Sequence, residues 1–203
     1  DARQHVFWMQ RWLDTDLFSN DLIADYFQSV APWGYQGVYR FFTWFNVEPL
    51  QTAKILPGLI AALTTFLFFR LVLKLIPVPF LGFLGCLFLN QALWLEDGII
   101  SGTPRAFAYP WLIGFLDGFL TESAISMWIF MVLQALFYPQ ALLVAIATLT
   151  LSFGKQLRNR RKLFKAFVPW CFGILVLGIL LVVRSVGNSA DFSPILPVEM
   201  AKE

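Results

Sequence analysis

The sequence predicts an all-α, polytopic helical membrane protein of about six spans, with interfacial amphipathic helices at its N-terminal end. Three observations carry this expectation. Of the 203 residues, 58% are hydrophobic and only 14% charged, with 22 Phe and 8 Trp, whereas a soluble domain averages about 45–50% apolar and about 25% charged. Long apolar stretches recur between Pro49 and Val183, separated by short turns. Six of the fifteen Lys and Arg residues fall within 155–165, with no acidic residue among them. Between two apolar segments, such a basic run marks a loop that stays in the cytoplasm.

Residues 1–48 differ from the rest and read as an external interfacial segment. They hold six acidic residues (Asp1, Asp14, Asp16, Asp21, Asp25, Glu48) against three basic ones (Arg3, Arg11, Arg40). Ala2, Val6, Met9 and Leu13 recur at helical spacing, with Phe7, Trp8 and Trp12 widening the face. An amphipathic helix of this kind, rich in Trp and Phe, is expected at a membrane–water interface. Ser19-Asn20-Asp21 offers N-cap residues for a second helix over about 21–31, which Pro32-Trp33-Gly34-Tyr35 breaks. The aromatic stretch Tyr35–Val47 is expected to be interfacial or re-entrant.

The transmembrane bundle is expected over 49–184. Its first span runs from Pro49 to Ile76, with Pro57-Gly58 as a point of kinking and Arg70 and Lys74 able to snorkel to an interface. Pro77-Val78-Pro79 is a tight turn, and Phe80–Leu95 is the second span. Three shorter segments follow, Ala106–Leu120, Ser123–Tyr138 and Gln140–Phe153, divided at Thr121-Glu122 and Pro139. Fifteen helical residues cover roughly 22 Å of a hydrocarbon core of roughly 30 Å. A last span, Val168–Val183, leads to an external tail over 185–203.

Parity orients these segments. With the loop 154–167 in the cytoplasm, Arg70 and Lys74 also fall inside, as the charge rule requires. Residues 1–48, the turn Glu96–Arg105 and the tail fall outside. The expected location is therefore a cell membrane, crossed several times, with lipid as the first partner. Flanked by spans, the basic run reads as a topological anchor, and no nucleic-acid partner is expected. Cys86 and Cys171 lie inside apolar runs and do not form a disulfide framework. No P-loop, glycine fingerprint or Ser/His/Asp spacing is present.

The chemistry-bearing residues gather on the external side. Arg105 stands in Gly102-Thr103-Pro104-Arg105-Ala106, where Pro suits the first turn of a helix, so its guanidinium and free backbone N–H groups favour an anion such as phosphate. Arg3 and His5 are further candidates for holding a phosphate. Asp21, Asp25, Glu96 and Asp97 are additional candidates, since carboxylates at an interface are costly unless used or paired; for Asp14, Asp16 and Asp21, helix capping is the stronger reading. Asp14-Thr15-Asp16 has the form of a metal-binding DxD, without the nucleotide-binding domain that motif needs. His5 is the single histidine, so a His-based metal cluster is excluded. A divalent cation held by carboxylates stays open, with its ligands undetermined.

Three stretches carry a resemblance. They are Asp1-Ala2-Arg3-Gln4-His5 through Asp21 to Tyr26-Phe27, Gly102-Thr103-Pro104-Arg105-Ala106-Phe107-Ala108-Tyr109-Pro110, and Phe137-Tyr138-Pro139-Gln140. In these the chain resembles bacterial membrane glycosyltransferases of the GT-C type, which use polyprenyl-phosphate-linked sugars. The resemblance implies transfer of a sugar from a lipid-phosphate carrier on the external face. It implies that an acidic residue of the first external loop, here Asp1 by placement, is catalytic base or metal ligand. It also implies a span before Asp1, so the chain reads as a piece of a longer protein, with flanking helices or subunits completing it. Two other classes stay in view: a transporter or channel subunit, for which short broken helices between 98 and 153 would speak, and a non-catalytic structural subunit of a membrane complex.

Overall fold

The structure, a computed structural model, describes residues 2–95, 98–100, 102–156 and 160–188. Among these there are helices and turns and no strand, so the all-α expectation holds. A short α1 (Ala2–Val6) runs directly into a 3-10 segment (Phe7–Trp12). Next come α2 (Leu22–Val30), α3 (Trp33–Trp44), α4 (Pro49–Leu75) and α5 (Pro79–Leu95). A single 3-10 turn (Pro104–Phe107) precedes α6 (Ala108–Leu120), followed by α7 (Ala124–Phe137), α8 (Pro139–Gln156) and α9 (Arg160–Asn188).

Local chemistry explains most of these boundaries. The Asp21 carboxylate accepts from the N–H groups of Ile23 (2.8 Å) and Ala24 (3.3 Å), capping α2. Pro32 ends that helix and leaves Trp33 to open α3, while Asn46, at a φ of 58°, turns the chain out of it. Pro49 suits the first turn of α4. The hydroxyl of Ser123 caps α7, and Pro139 opens α8 after Tyr138, whose φ of −151° and ψ of 85° are not helical. The three segments expected between 106 and 153 are therefore three separate helices.

The axis of the fold is α4, whose 27 residues extend about 40 Å. Among the described residues it is the one helix long and apolar enough to cross a membrane. The apolar helices or stretches Pro79–Leu95, Ala124–Phe137, Pro139–Ser152 and Phe167–Val183 are shorter. Helix α5 packs on α4 alone among the stronger helix pairings, with Gly82 facing the Phe69 ring so closely that a Cβ there would lie 2.8 Å from it. Asn90 satisfies its amide in this apolar seam by donating to the Thr65 hydroxyl (2.8 Å) and the Cys86 carbonyl (2.9 Å).

Helices α6 and α7 meet at Gly118. A Cβ there would come within 2.9 Å of the Ser126 Cβ and 3.0 Å of the Met127 backbone nitrogen, so only glycine lets the two backbones approach. Phe115, Met131, Leu142 and Leu149 fill the core between α6, α7, α8 and α9, with Trp170 against it.

The described bundle holds one buried carboxylate, Asp117 in the last turn of α6. Its two oxygens meet Lys74 Nζ at 2.5 Å and Arg70 Nη2 at 3.5 Å, both from the C-terminal end of α4. This contact brings the C-terminal end of α6 level with the C-terminal end of α4.

Two expectations change. The apolar face of residues 2–13 was expected at a membrane interface; Val6, Trp8 and Met9 are instead fully buried in the protein, against Tyr35, Tyr39 and α4. The stretch Tyr35–Val47 is helical as far as Trp44, with Tyr35 and Tyr39 in that same core and Phe41, Trp44 and Phe45 exposed. The basic segment 154–167 is also not a long loop. Helix α8 continues to Gln156 and α9 begins at Arg160, so Lys155 falls in the last turn of α8, where the helix dipole favours a cation, and Arg160, Arg161 and Lys162 open α9. Residues 157–159 and the tail 189–203 lie outside the described residues.

Replacing Asp117 by Asn removes the counter-charge of Lys74 at a site where the carboxylate is 11% and the ammonium 33% exposed. Arg70, half exposed, adds little. The expected outcome is a stability loss of roughly 1–3 kcal/mol, below that of a fully buried pair. Thermal unfolding in detergent measures it, and a Lys74→Met, Asp117→Leu double variant should recover part of the loss.

Candidate functional site

Three distant stretches converge on one cleft of about 350 Å³. Its N-terminal wall is His5 from α1 with Phe27 and Val30 from α2. Its second wall is Thr103, Pro104 and Arg105, and its third is Tyr138, Pro139 and Gln140 at the junction of α7 and α8. Ala31, Pro32 and Tyr35 close it between α2 and α3.

The turn carrying Arg105 is positioned by packing from beneath. Gly102 takes a φ of +54°, a conformation glycine adopts without strain, and closes a turn by donating its N–H to Ile99 O at 3.0 Å. The buried Tyr39 hydroxyl donates to the Gly102 carbonyl at 3.4 Å, and Ile99 is fully buried. Pro104–Phe107 then forms one 3-10 turn before α6. Ala106 N–H is already used by Thr103 O at 3.0 Å, and Pro104 has none to give. The expected fan of free backbone donors is therefore reduced, and the anion-attracting group of this wall is the Arg105 side chain itself. That side chain is exposed and makes no ion pair with a described residue.

The rest of the lining is neutral. Burial pulls the His5 imidazole below its ordinary value of 6.5, which favours the uncharged ring at neutral pH; that ring stands edge-on to Phe27, centroids 5.7 Å apart. Burial pushes both tyrosines up, Tyr39 to about 12 and Tyr35 further. The two phenols influence each other's ionisation, yet the fully buried Tyr35 hydroxyl has no aligned hydrogen-bond partner. Gln140 is exposed at the rim. Such a site offers one full positive charge, neutral donors and aromatic walls, which suits a single anionic group on an organic ligand.

A second, apolar groove of about 380 Å³ adjoins the cleft and shares Ala31 and Pro32 with it. Trp33, Val132 and Leu136 line it with Val176, Ile179, Leu180 and Val183 of α9. Charged head and apolar body of one amphiphile would find complementary surfaces side by side.

The other expected site residues are distributed differently. Asp21 caps α2, and Asp25 pairs with Arg11 at 2.6 Å, so neither lines the cleft. Asp14 accepts the Asp16 N–H at 3.0 Å and folds the DxD-like triplet into its own turn. Arg3 sits in α1 with its side chain outside the described residues, where Asp1, Glu96 and Asp97 also lie. No group of three or more His, Cys, Asp and Glu able to hold a metal occurs among the described residues. Sequence reasoning missed Asp117, Tyr35 and Gln140. A lone Asp in an apolar segment, with Arg70 and Lys74 ending another, was the signal for the first.

The depressed His5 pKa carries a sign. The folded state binds its proton less readily than the unfolded chain, so the neutral ring's stability contribution is full above 6.5 and is lost as pH falls through the lower folded value. Thermal melts recorded above and below 6.5 should show that decline, and His5→Gln should flatten it.

No protein-family model matches the chain, and no curated protein or solved structure matches it either.

Proposed function

We propose that the chain is part of a multi-pass membrane protein that binds a lipid-linked phosphate at its external face and transfers the sugar that phosphate carries. The observation that carries the reading is the convergence of His5, Arg105 and Gln140 on one cleft, because each comes from a different stretch resembling GT-C glycosyltransferases. The adjoining apolar groove supports it, since a polyprenyl chain needs such a surface next to its phosphate.

In this reading Arg105 holds the phosphate by charge-assisted hydrogen bonds, and neutral His5 and Gln140 complete its polar contacts. Asp1, four positions before His5, takes the acceptor proton or holds a divalent cation. The topology is that of about six spans, α4 to α9, with residues 1–48 external and the basic segment cytoplasmic. The Lys74–Asp117 contact agrees with that arrangement, because it joins the two ends that parity places inside.

Two measurements test this. Arg105→Gln should weaken binding of a short prenyl phosphate roughly 10–100-fold, the worth of about 1.5–3 kcal/mol for hydrogen bonds to a charged group, while Asp1→Asn should leave that binding intact and lower transfer about 10²–10⁴-fold. Unchanged binding by Arg105→Gln removes the cleft from the mechanism. Single cysteines placed at Ser19 and Asn159 should react with an impermeant thiol reagent from opposite sides of the membrane; reaction from one side refutes the topology.

A further inference from the structure

Helix α2 is amphipathic, but its apolar stripe faces away from the protein. A surface helix ordinarily turns that stripe to the core. Here Ala24 is buried, Phe27 packs against the core, and Asp25 and Gln28 bind Arg11. Leu22, Tyr26 and Val30, at four-residue spacing, and Ile23 beside them, are left 41–72% exposed. Trp33 extends the stripe at 60% exposure. Across α3, Phe41, Trp44 and Phe45 form a second outward aromatic cluster, with Trp44 80% exposed.

We propose that these two surfaces dock on a lipid bilayer, in the leaflet that meets the N-terminal end of α4. Continuity points to lipid as the occupant. The α2 stripe ends at Pro32 and Trp33, which line the same apolar groove as Val176, Ile179 and Val183 of α9, and Ser29 is the single polar side chain of that lining. The α3 cluster ends just before Pro49, where the membrane-length helix begins, and α4 itself turns Ile55, Leu59 and Phe66 outward. Both flanks of the patch are thus faces of apolar helices. The residues of the patch also fit: Trp and Tyr pair an apolar body with a polar edge and are enriched at headgroup depth.

The patch holds no Lys or Arg. Arg40, the nearest exposed cation in α3, lies over the Trp12 ring at 5.0 Å. Docking therefore works by apolar insertion and does not require anionic lipid. The same arrangement puts the rim of the Arg105 cleft at headgroup depth, since Val30 belongs both to the stripe and to that cleft. The inference rests on the membrane reading of α4 and is independent of sugar transfer.

Spin labels at single cysteines test it, in a Cys86→Ala, Cys171→Ala background reconstituted into phosphatidylcholine nanodiscs. Labels at Ile23, Tyr26 and Trp44 should collide more with oxygen than with a water-soluble nickel chelate, and a label at Gln28 should show the reverse. Leu63, in the middle of α4, is the internal control. Shielding at Leu63 with water-like accessibility at Ile23, Tyr26 and Trp44 overturns the docking surface and leaves the membrane reading standing. Water-like accessibility at all four overturns both. Spin–spin broadening at Tyr26 or Trp44 would show a second copy of the chain covering the face, which also overturns the proposal. These side chains are exposed, so the substitutions leave the core intact.

Discussion

The contact between Asp117 and Lys74 sets the depth of one helix against another. A carboxylate in an apolar bundle has few places to go, because charge is costly away from water unless it is paired. By meeting the end of α4, Asp117 fixes how far α6 slides along it. The opposite end of α6 is then fixed too, and it carries the turn with Arg105. A slip of one helical turn would move that turn by about 5.4 Å and separate Gly102 from the Tyr39 hydroxyl that supports it. The ion pair at one end and the cleft at the other are two ends of one register.

The N-terminal segment fills a role that its composition conceals. Trp8, Met9, Tyr35 and Tyr39 make a core of large side chains beside α4, and the pairing of Arg11 with Asp25 ties α2 to the segment before it. Aromatic bulk at this end replaces the small-residue contacts that hold α4 to α5 and α6 to α7. The result is a cap of short helices seated on the end of the bundle, with its own apolar stripe turned out.

The helices were legible because their boundaries have local causes. Asp21, Pro32, Pro49, Ser123 and Pro139 each act within a few residues, and the structure puts helix ends beside all five. The direction a helix faces was not legible. Residues 2–13 and 22–30 are both amphipathic in sequence, and periodicity says only that two faces differ. Which face meets protein is decided by the neighbours, Tyr35, Tyr39 and α4 for the first and Phe7 and Arg11 for the second. Arg105 could be singled out from Pro104 and its setting, whereas Tyr35 could not, because an aromatic residue in an aromatic stretch carries no mark of being buried. Gln140 follows Pro139 in the sequence, but its place at the rim depends on how the chain turns at Tyr138 between α7 and α8.

The route by which the cleft is assembled has a consequence for folding. Most contacts in this chain join neighbouring helices and can form as soon as a helical pair exists. The cleft is different: His5 in α1 and Gln140 in α8 line it together although they stand far apart in the sequence. Closing so long a loop carries an entropic cost that nearer contacts must offset first. The pocket therefore forms late relative to contacts between neighbouring helices, and a ligand that recognises its three walls reads out whether the N-terminal helices, the Arg105 turn and the start of α8 have come together. A protein arrested at α7 would keep its ion pair and most of its core yet present no third wall.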